Sequence, residues 1–99
     1  MTFAIRYTKS AREDLARLNR YLVARDLAAA RRARATIAKA MELLKEFPFT
    51  CRMASPNTPF LRELVIRFGG GGYVALFEIT NATTVTILAV RHQREDDIS

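Results

Sequence analysis

His92 is the only histidine in the chain, with Arg91 before it and Arg94 just after it. Histidine titrates near neutral pH and serves as an acid or a base. Beside cations, it outlines metal-free RNA cleavage, which needs a group for the 2′-OH proton and positive charge for the phosphate. Arg62 and Arg67 lie further back on a predicted strand. The same residues suit a second use, because arginine forks pair with carboxylates. Arg62, Arg67, Tyr73, Arg91, His92 and Arg94 thus form a candidate set for binding a target or an acidic polypeptide. The inventory for cleavage is thin. Glu95, Asp96 and Asp97 follow closely and would repel a phosphate backbone. The residues favour binding without catalysis, with His92, Arg91 and Arg67 as the catalytic set of the alternative.

Other chemistry is poorly supplied. Cys51 has no partner at metal-ligand spacing and only Arg52 beside it to activate the thiol. With one histidine and one cysteine, neither a metal nor another cofactor is expected. Gly69-Gly70-Gly71-Gly72 lacks the Gly-Lys-Ser/Thr ending of a phosphate loop and precedes a strand pattern, so it reads as a hairpin turn. A lone cysteine cannot close an internal disulfide, and nothing suggests a cystine-stapled secreted scaffold.

The elements that must position these residues follow from periodicity. Phe3 to Thr8 reads as a short strand. Ser10 with Glu13 makes a capping-box pattern, with Thr8 as rival cap, and Ala11, Leu15, Leu18 and Leu22 recur on one helical face. The helix is predicted to end near Arg25, where Asp26 caps a second helix through about Glu46. So short a link makes the two helices an antiparallel hairpin. Phe47-Pro48 breaks the second helix, and the proline-rich stretch to Phe60 reads as a long loop. Strands are predicted over Leu61 to Phe68, Tyr73 to Thr80 and Thr84 to His92. The outcome is one α+β domain over residues 1–99: strand, helix, helix, then three strands, with the hairpin on one face of a mainly antiparallel sheet.

Charge is uneven. Residues 1–50 carry eleven Lys/Arg against five Asp/Glu, and residues 51–99 carry five against five, so the net charge of +6 belongs to the first half. Arg20, Arg31, Arg32 and Arg34 give the helical hairpin a basic surface suited to an acidic partner. No stretch approaches the apolar length of a membrane span, and the first residues lack the pattern of a secretory signal, so a cytoplasmic protein is expected.

The last two strands carry apolar residues at both parities. Val74 and Leu76 oppose Ala75, Phe77 and Ile79; Leu88 and Val90 oppose Val85, Ile87 and Ala89. Two helices cover one face, so the other is expected to be apolar and to need another chain.

Specific strings then resemble the RelE/ParE superfamily of bacterial toxin–antitoxin modules. Thr8-Lys9-Ser10-Ala11-Arg12-Glu13-Asp14-Leu15 is similar to the family's strand-to-helix junction, with its A-x-x-D-L string. Arg62-Glu63-Leu64, Phe68-Gly69 and Gly72 to Phe77 resemble its central hairpin. Val85 to Asp97, running through Val90-Arg91-His92-Gln93-Arg94-Glu95, resembles the last strand of the ParE branch. The resemblance implies a toxin neutralised by an acidic, ParD-like antitoxin in a hetero-oligomer. It also implies DNA gyrase as the target, with ribosome-dependent cleavage of messenger RNA, the RelE activity, as the alternative.

Overall fold

The computed structural model describes residues 2–93. The elements are β1 (Ala4–Tyr7), α1 (Lys9–Arg25), α2 (Leu27–Glu46), a 3₁₀ turn (Pro48–Thr50), β2 (Arg52–Met53), β3 (Leu61–Phe68), β4 (Gly71–Asn81) and β5 (Thr84–His92). They form a five-stranded sheet in the order β1-β5-β4-β3-β2. The β1–β5 pair is parallel and the others antiparallel. Two helices lie on one face, so the architecture is α+β as predicted.

Local chemistry sets the boundaries. Thr8, in extended conformation, caps α1: its hydroxyl accepts from the Ala11 N–H at 3.0 Å. The cap is therefore Thr8 and not the Ser10–Glu13 box. Thr8 wins because the end of β1 already holds it extended, as a cap residue requires, and its hydroxyl also donates to the Leu88 carbonyl at 3.1 Å. Asp26 alone joins the helices. Its N–H donates to Leu22 O, closing α1, and its carboxylate accepts from Ala29 N at 3.1 Å, opening α2. A one-residue link enforces the antiparallel hairpin.

The core lies between the hairpin and the sheet. Phe77, Val85, Ile87 and Val90 are fully buried, joined by Ala11 and Leu44 from the helices and flanked by Leu15, Leu22 and Ile37. The β3–β4 connection is tighter than the four glycines suggest. Phe68 pairs with Gly71, leaving Gly69-Gly70 as the turn, with Gly69 at φ +60°. Gly72 is inside β4, where a Cβ would run into the Ile66 carbonyl.

Register resolves the doubled apolar parity of β5. Phe77 pairs with Ile87, but Leu76 pairs with Ala89, so a β-bulge at Leu88 inserts one extra residue. Val85 and Ile87 before it and Val90 after it thus share the helix-covered face, although their parities differ. The open face accordingly holds Val65, Val74, Leu76 and Ala89 at its centre, with Arg6, Arg67, Arg91, Glu63, Glu78, Thr80 and Thr86 around them. None of the large, well-exposed hydrophobic residues lies on that face. The broadly apolar open face expected from sequence is replaced by a short apolar strip inside a charged frame.

Beyond Ile87, β5 has outrun β1, its parallel neighbour. The start of α1 takes over that edge. The Thr8 hydroxyl serves the Leu88 carbonyl, and Asp14 Oδ2 accepts from Val90 N at 2.9 Å. No helix among the described residues is long and apolar enough to cross a membrane.

Candidate functional site

The residues singled out in the sequence fall into three places. Arg67 and Arg91 project from the open face, both exposed. Arg67 is opposite Gly72 and Arg91 opposite Val74, so the two guanidinium groups flank the β4 backbone at one end of the sheet. Gly72 contributes no side chain between them. This end presents two cations beside an apolar strip, an arrangement suited to a carboxylate-bearing or other anionic surface.

His92 belongs to the opposite face. Its register partner is Tyr73, which is buried beneath α1, and the rings meet edge-on at 5.7 Å between centroids. Phe68 stacks on the other side of Tyr73 at 6.1 Å. These aromatics floor a groove of about 620 Å³ below Tyr21 and Leu22 of α1, closed at one end by the Gly69-Gly70 turn. Burial pushes the Tyr73 phenol above its ordinary pKa. A further hollow of about 500 Å³ lies between the two helices, with Ala30, Ala33 and Ile37 on one wall and Leu15 and Leu22 on the other. The structure therefore groups Arg67 with Arg91, and His92 with Tyr73, but does not bring His92 together with the two arginines.

Arg62 occupies a third place. Its guanidinium donates to three carbonyls, Pro59 at 2.8 Å, Phe49 at 3.0 Å and Cys51 at 2.6 Å, and lies over the Phe49 ring at 5.3 Å. It holds the segment between α2 and β3 in shape through these bonds. The sequence cannot reveal this role, because the three carbonyls come from a loop with no periodic pattern. Arg20, Arg31, Arg32 and Arg34 of the hairpin are exposed. Arg94 lies outside the described residues.

The Cys51 thiol is half-buried, and desolvation raises its pKa, with the Arg62 charge only partly opposing. A raised thiol pKa makes a poor nucleophile at neutral pH. Among the described residues no three His, Cys, Asp or Glu side chains gather where they would hold a metal.

Sequence reasoning gave no role to Asp14, whose carboxylate fixes the β5 edge just before Arg91 and His92. The available signal was an acid beside the apolar face of an amphipathic helix. It also read the stretch from Pro48 to Phe60 as a long loop, although that stretch contains the 3₁₀ turn and β2.

The family described as ParE toxin of type II toxin–antitoxin system, parDE, matches residues 5–97. A Caulobacter vibrioides protein named Toxin RelE1 is 34% identical over 83 residues, spanning 84% of this chain and 86% of that protein. A chain of the chromosomal ParDE toxin–antitoxin system from P. aeruginosa shares the fold with a TM-score of 0.69 at 16% identity, over 92% of this chain and 96% of that one. A chain of the toxin–antitoxin complex RelBE2 from Mycobacterium tuberculosis gives a TM-score of 0.62 at 26% identity, over 93% and 99%.

Proposed function

The chain belongs to the ParE toxin family of type II toxin–antitoxin systems, and we propose that it is a cytoplasmic toxin that acts by binding DNA gyrase rather than by cutting RNA. Its antitoxin, on this reading, is an acidic protein that covers the toxin and blocks the encounter. The toxin's contribution is a charged surface on a rigid sheet: Arg67 and Arg91 on the open face, with Arg94 following in sequence. Charge complementarity of this kind steers association and fixes orientation.

One observation carries the reading. Cleavage without a metal requires a proton-handling group and cations around a single phosphate. Arg67 and Arg91 face one side of the sheet while His92 meets Tyr73 on the other. The only histidine is thus engaged under α1, on the opposite face of the sheet from Arg67 and Arg91.

The test is direct. Purified toxin added to gyrase at micromolar concentration is expected to inhibit supercoiling, and the double variant Arg67→Glu/Arg91→Glu is expected to lose most of that inhibition. Transcripts mapped after induction in cells are expected to be intact. Discrete cuts that vanish in His92→Ala would overturn the proposal in favour of the ribonuclease alternative.

A further inference from the structure

The positive charge of the helical hairpin is gathered at its tip. From Leu18 to Ala38 the chain carries five arginines, Arg20, Arg25, Arg31, Arg32 and Arg34, with no lysine and one acid, Asp26. All five arginines are exposed. The Asp26 carboxylate accepts from Ala29 N at 3.1 Å and is engaged in capping α2. Arg25 lies over the Tyr21 ring at 3.7 Å. Among the described residues none of the other four arginines pairs with a carboxylate.

The base of the hairpin is different. Lys9, Arg12, Arg17 and Lys45 are matched there by Glu13, Asp14, Glu42 and Glu46. Arg17 meets Asp14 at 3.7 Å, and Lys45 meets Glu42 at 3.0 Å. Lys39 stands between the two regions, one turn before Glu42. Of the other acids, Glu63 pairs with Arg52 at 2.9 Å and Glu78 is on the open sheet face. Glu95, Asp96 and Asp97 follow β5, outside the described residues. Five cations against one acid leave +4 at the tip, while four against four leave none at the base. Like charges one turn apart, as Arg31 and Arg34 are, destabilise a helix. A face that served only solubility would intersperse the two signs, as the base does.

The make-up of the tip selects its occupant. From Ala28 to Ala38 every exposed residue of α2 is an arginine or an alanine. The exposed Tyr21, Val23 and Leu27 lie on α1 and at the start of α2. An interface between proteins centres on large apolar anchors and is depleted of charge there; this stretch has the reverse composition. Guanidinium forks match phosphate oxygens two at a time. Alanines between them leave the helix free to lie close to a phosphate strand. At about 1.5 Å per residue the stretch is about 15 Å long, which spans about nine phosphates of a duplex at about 1.7 Å of axis each.

We infer that the arginine tip of the hairpin binds the phosphate backbone of duplex DNA, without regard to sequence, while the toxin is docked on its target. The choice of DNA rests on the gyrase reading, because gyrase works on a duplex and a toxin seated on it stands beside one. Arg67 and Arg91 are on the open face of the sheet and the hairpin is on the other, so the toxin can touch enzyme and DNA together. Two linked contacts hold far more tightly than either alone.

Fluorescence anisotropy with purified toxin and a short labelled duplex of mixed sequence tests it. Binding is expected at micromolar concentration in low salt, with log affinity falling against log salt at a slope of about −4, as for about four neutralised phosphates. Arg31→Ala/Arg32→Ala/Arg34→Ala is expected to lower affinity by about tenfold or more and to reduce that slope by about three. Lys9→Ala/Arg12→Ala/Lys45→Ala removes the same charge from the base and is expected to change both far less. Arg31→Lys/Arg32→Lys/Arg34→Lys keeps the charge and is expected to keep the slope. Unchanged thermal unfolding confirms that each variant folds. Absence of binding by the wild type, or equal losses in the tip and base variants, would overturn the inference. Tighter binding to an RNA duplex of the same sequence would overturn the choice of DNA, and displacement of the duplex by polyglutamate at equal charge would give the tip to an acidic protein instead. The assay contains no gyrase, so a toxin that binds the duplex through its tip and leaves supercoiling untouched would sink the gyrase reading and spare this contact.

Discussion

On the helix side of the sheet, Ala75, Phe77, Val85, Ile87 and Val90 are sealed from water; on the other side of the same strands, Arg67, Glu78 and Arg91 stand in it. The contrast runs through single strands, residue by residue. The covered face closes only if each side chain meets the helices at the right depth, so its residues answer to packing. The open face has no such constraint, and its charges are free to be chosen for a partner. What joins the two is the edge of β5, where Thr8 and Asp14 fix the backbone from which Val90 faces inward and Arg91 outward.

If that division is correct, substitutions on the two faces should separate cleanly. Phe77→Ala, at the centre of the covered face, is expected to cost about 3–5 kcal/mol, a large part of what a domain of this size has. Urea denaturation measures it. Val74→Ala on the open face should cost less than Val85→Ala, the matching change on the covered face, because the strip around Val74 is bordered by solvent. Equal costs would break the comparison and would mean that the open face is packed as tightly as the core.

The joint between the faces comes next in size. Asp14→Ala leaves Val90 N–H without its acceptor, a loss of about 1–3 kcal/mol for a buried donor. Thr8→Ala removes an N-cap and a bond to Leu88 O together, about 0.5–2 kcal/mol. Chemical-shift changes confined to residues near Leu88–His92 would locate the damage at the β5 edge. Shifts spread through both helices would show that these residues serve the core instead.

The helices and β5 were legible in the sequence because each carries its own local signal. Leu15, Leu18 and Leu22 repeat at helical spacing, Asp26 caps, and Thr84 to His92 is β-branched and apolar. The division between faces was not legible. A bulge changes parity by one residue, and nothing in Ile87-Leu88-Ala89-Val90 says where the extra residue falls. The candidate site was half legible for the same reason. Arg67 and Arg91 can be placed on strands, but which face they share with His92 depends on register. Arg62 looks like any strand arginine until the chain from Phe49 to Pro59 folds around it.

The open face should respond in the opposite sense to the core. Arg67→Glu/Arg91→Glu is expected to change stability by no more than about 0.5 kcal/mol, the usual range for exposed positions. Loss of growth arrest on induction, with that stability retained, would assign the pair to function. Wild-type toxicity in the double variant would detach the open face from the target and leave the comparison as one of packing alone.

The smallest effect separates the faces by proton linkage. Tyr7 and Tyr73 lie on the covered face and Cys51 is half-buried beside Arg62; burial is the main cause raising all three pKa values, from ordinary values of 10.0 for the tyrosines and 9.0 for the cysteine. Because the folded state keeps these protons to higher pH than the unfolded chain does, folding takes up protons between the two values, and stability must fall as pH rises through that window. Below about pH 8 the three groups are largely neutral in both states and contribute little slope. Denaturation at stepped pH from 8 to 11 is therefore expected to be flat at first and then to decline. Tyr7→Phe/Tyr73→Phe, which removes two of the titrating groups and keeps their rings, should flatten most of the decline. A slope that persists in that variant would trace the alkaline loss to other groups, arginine ion pairs being excluded because guanidinium stays charged throughout the range.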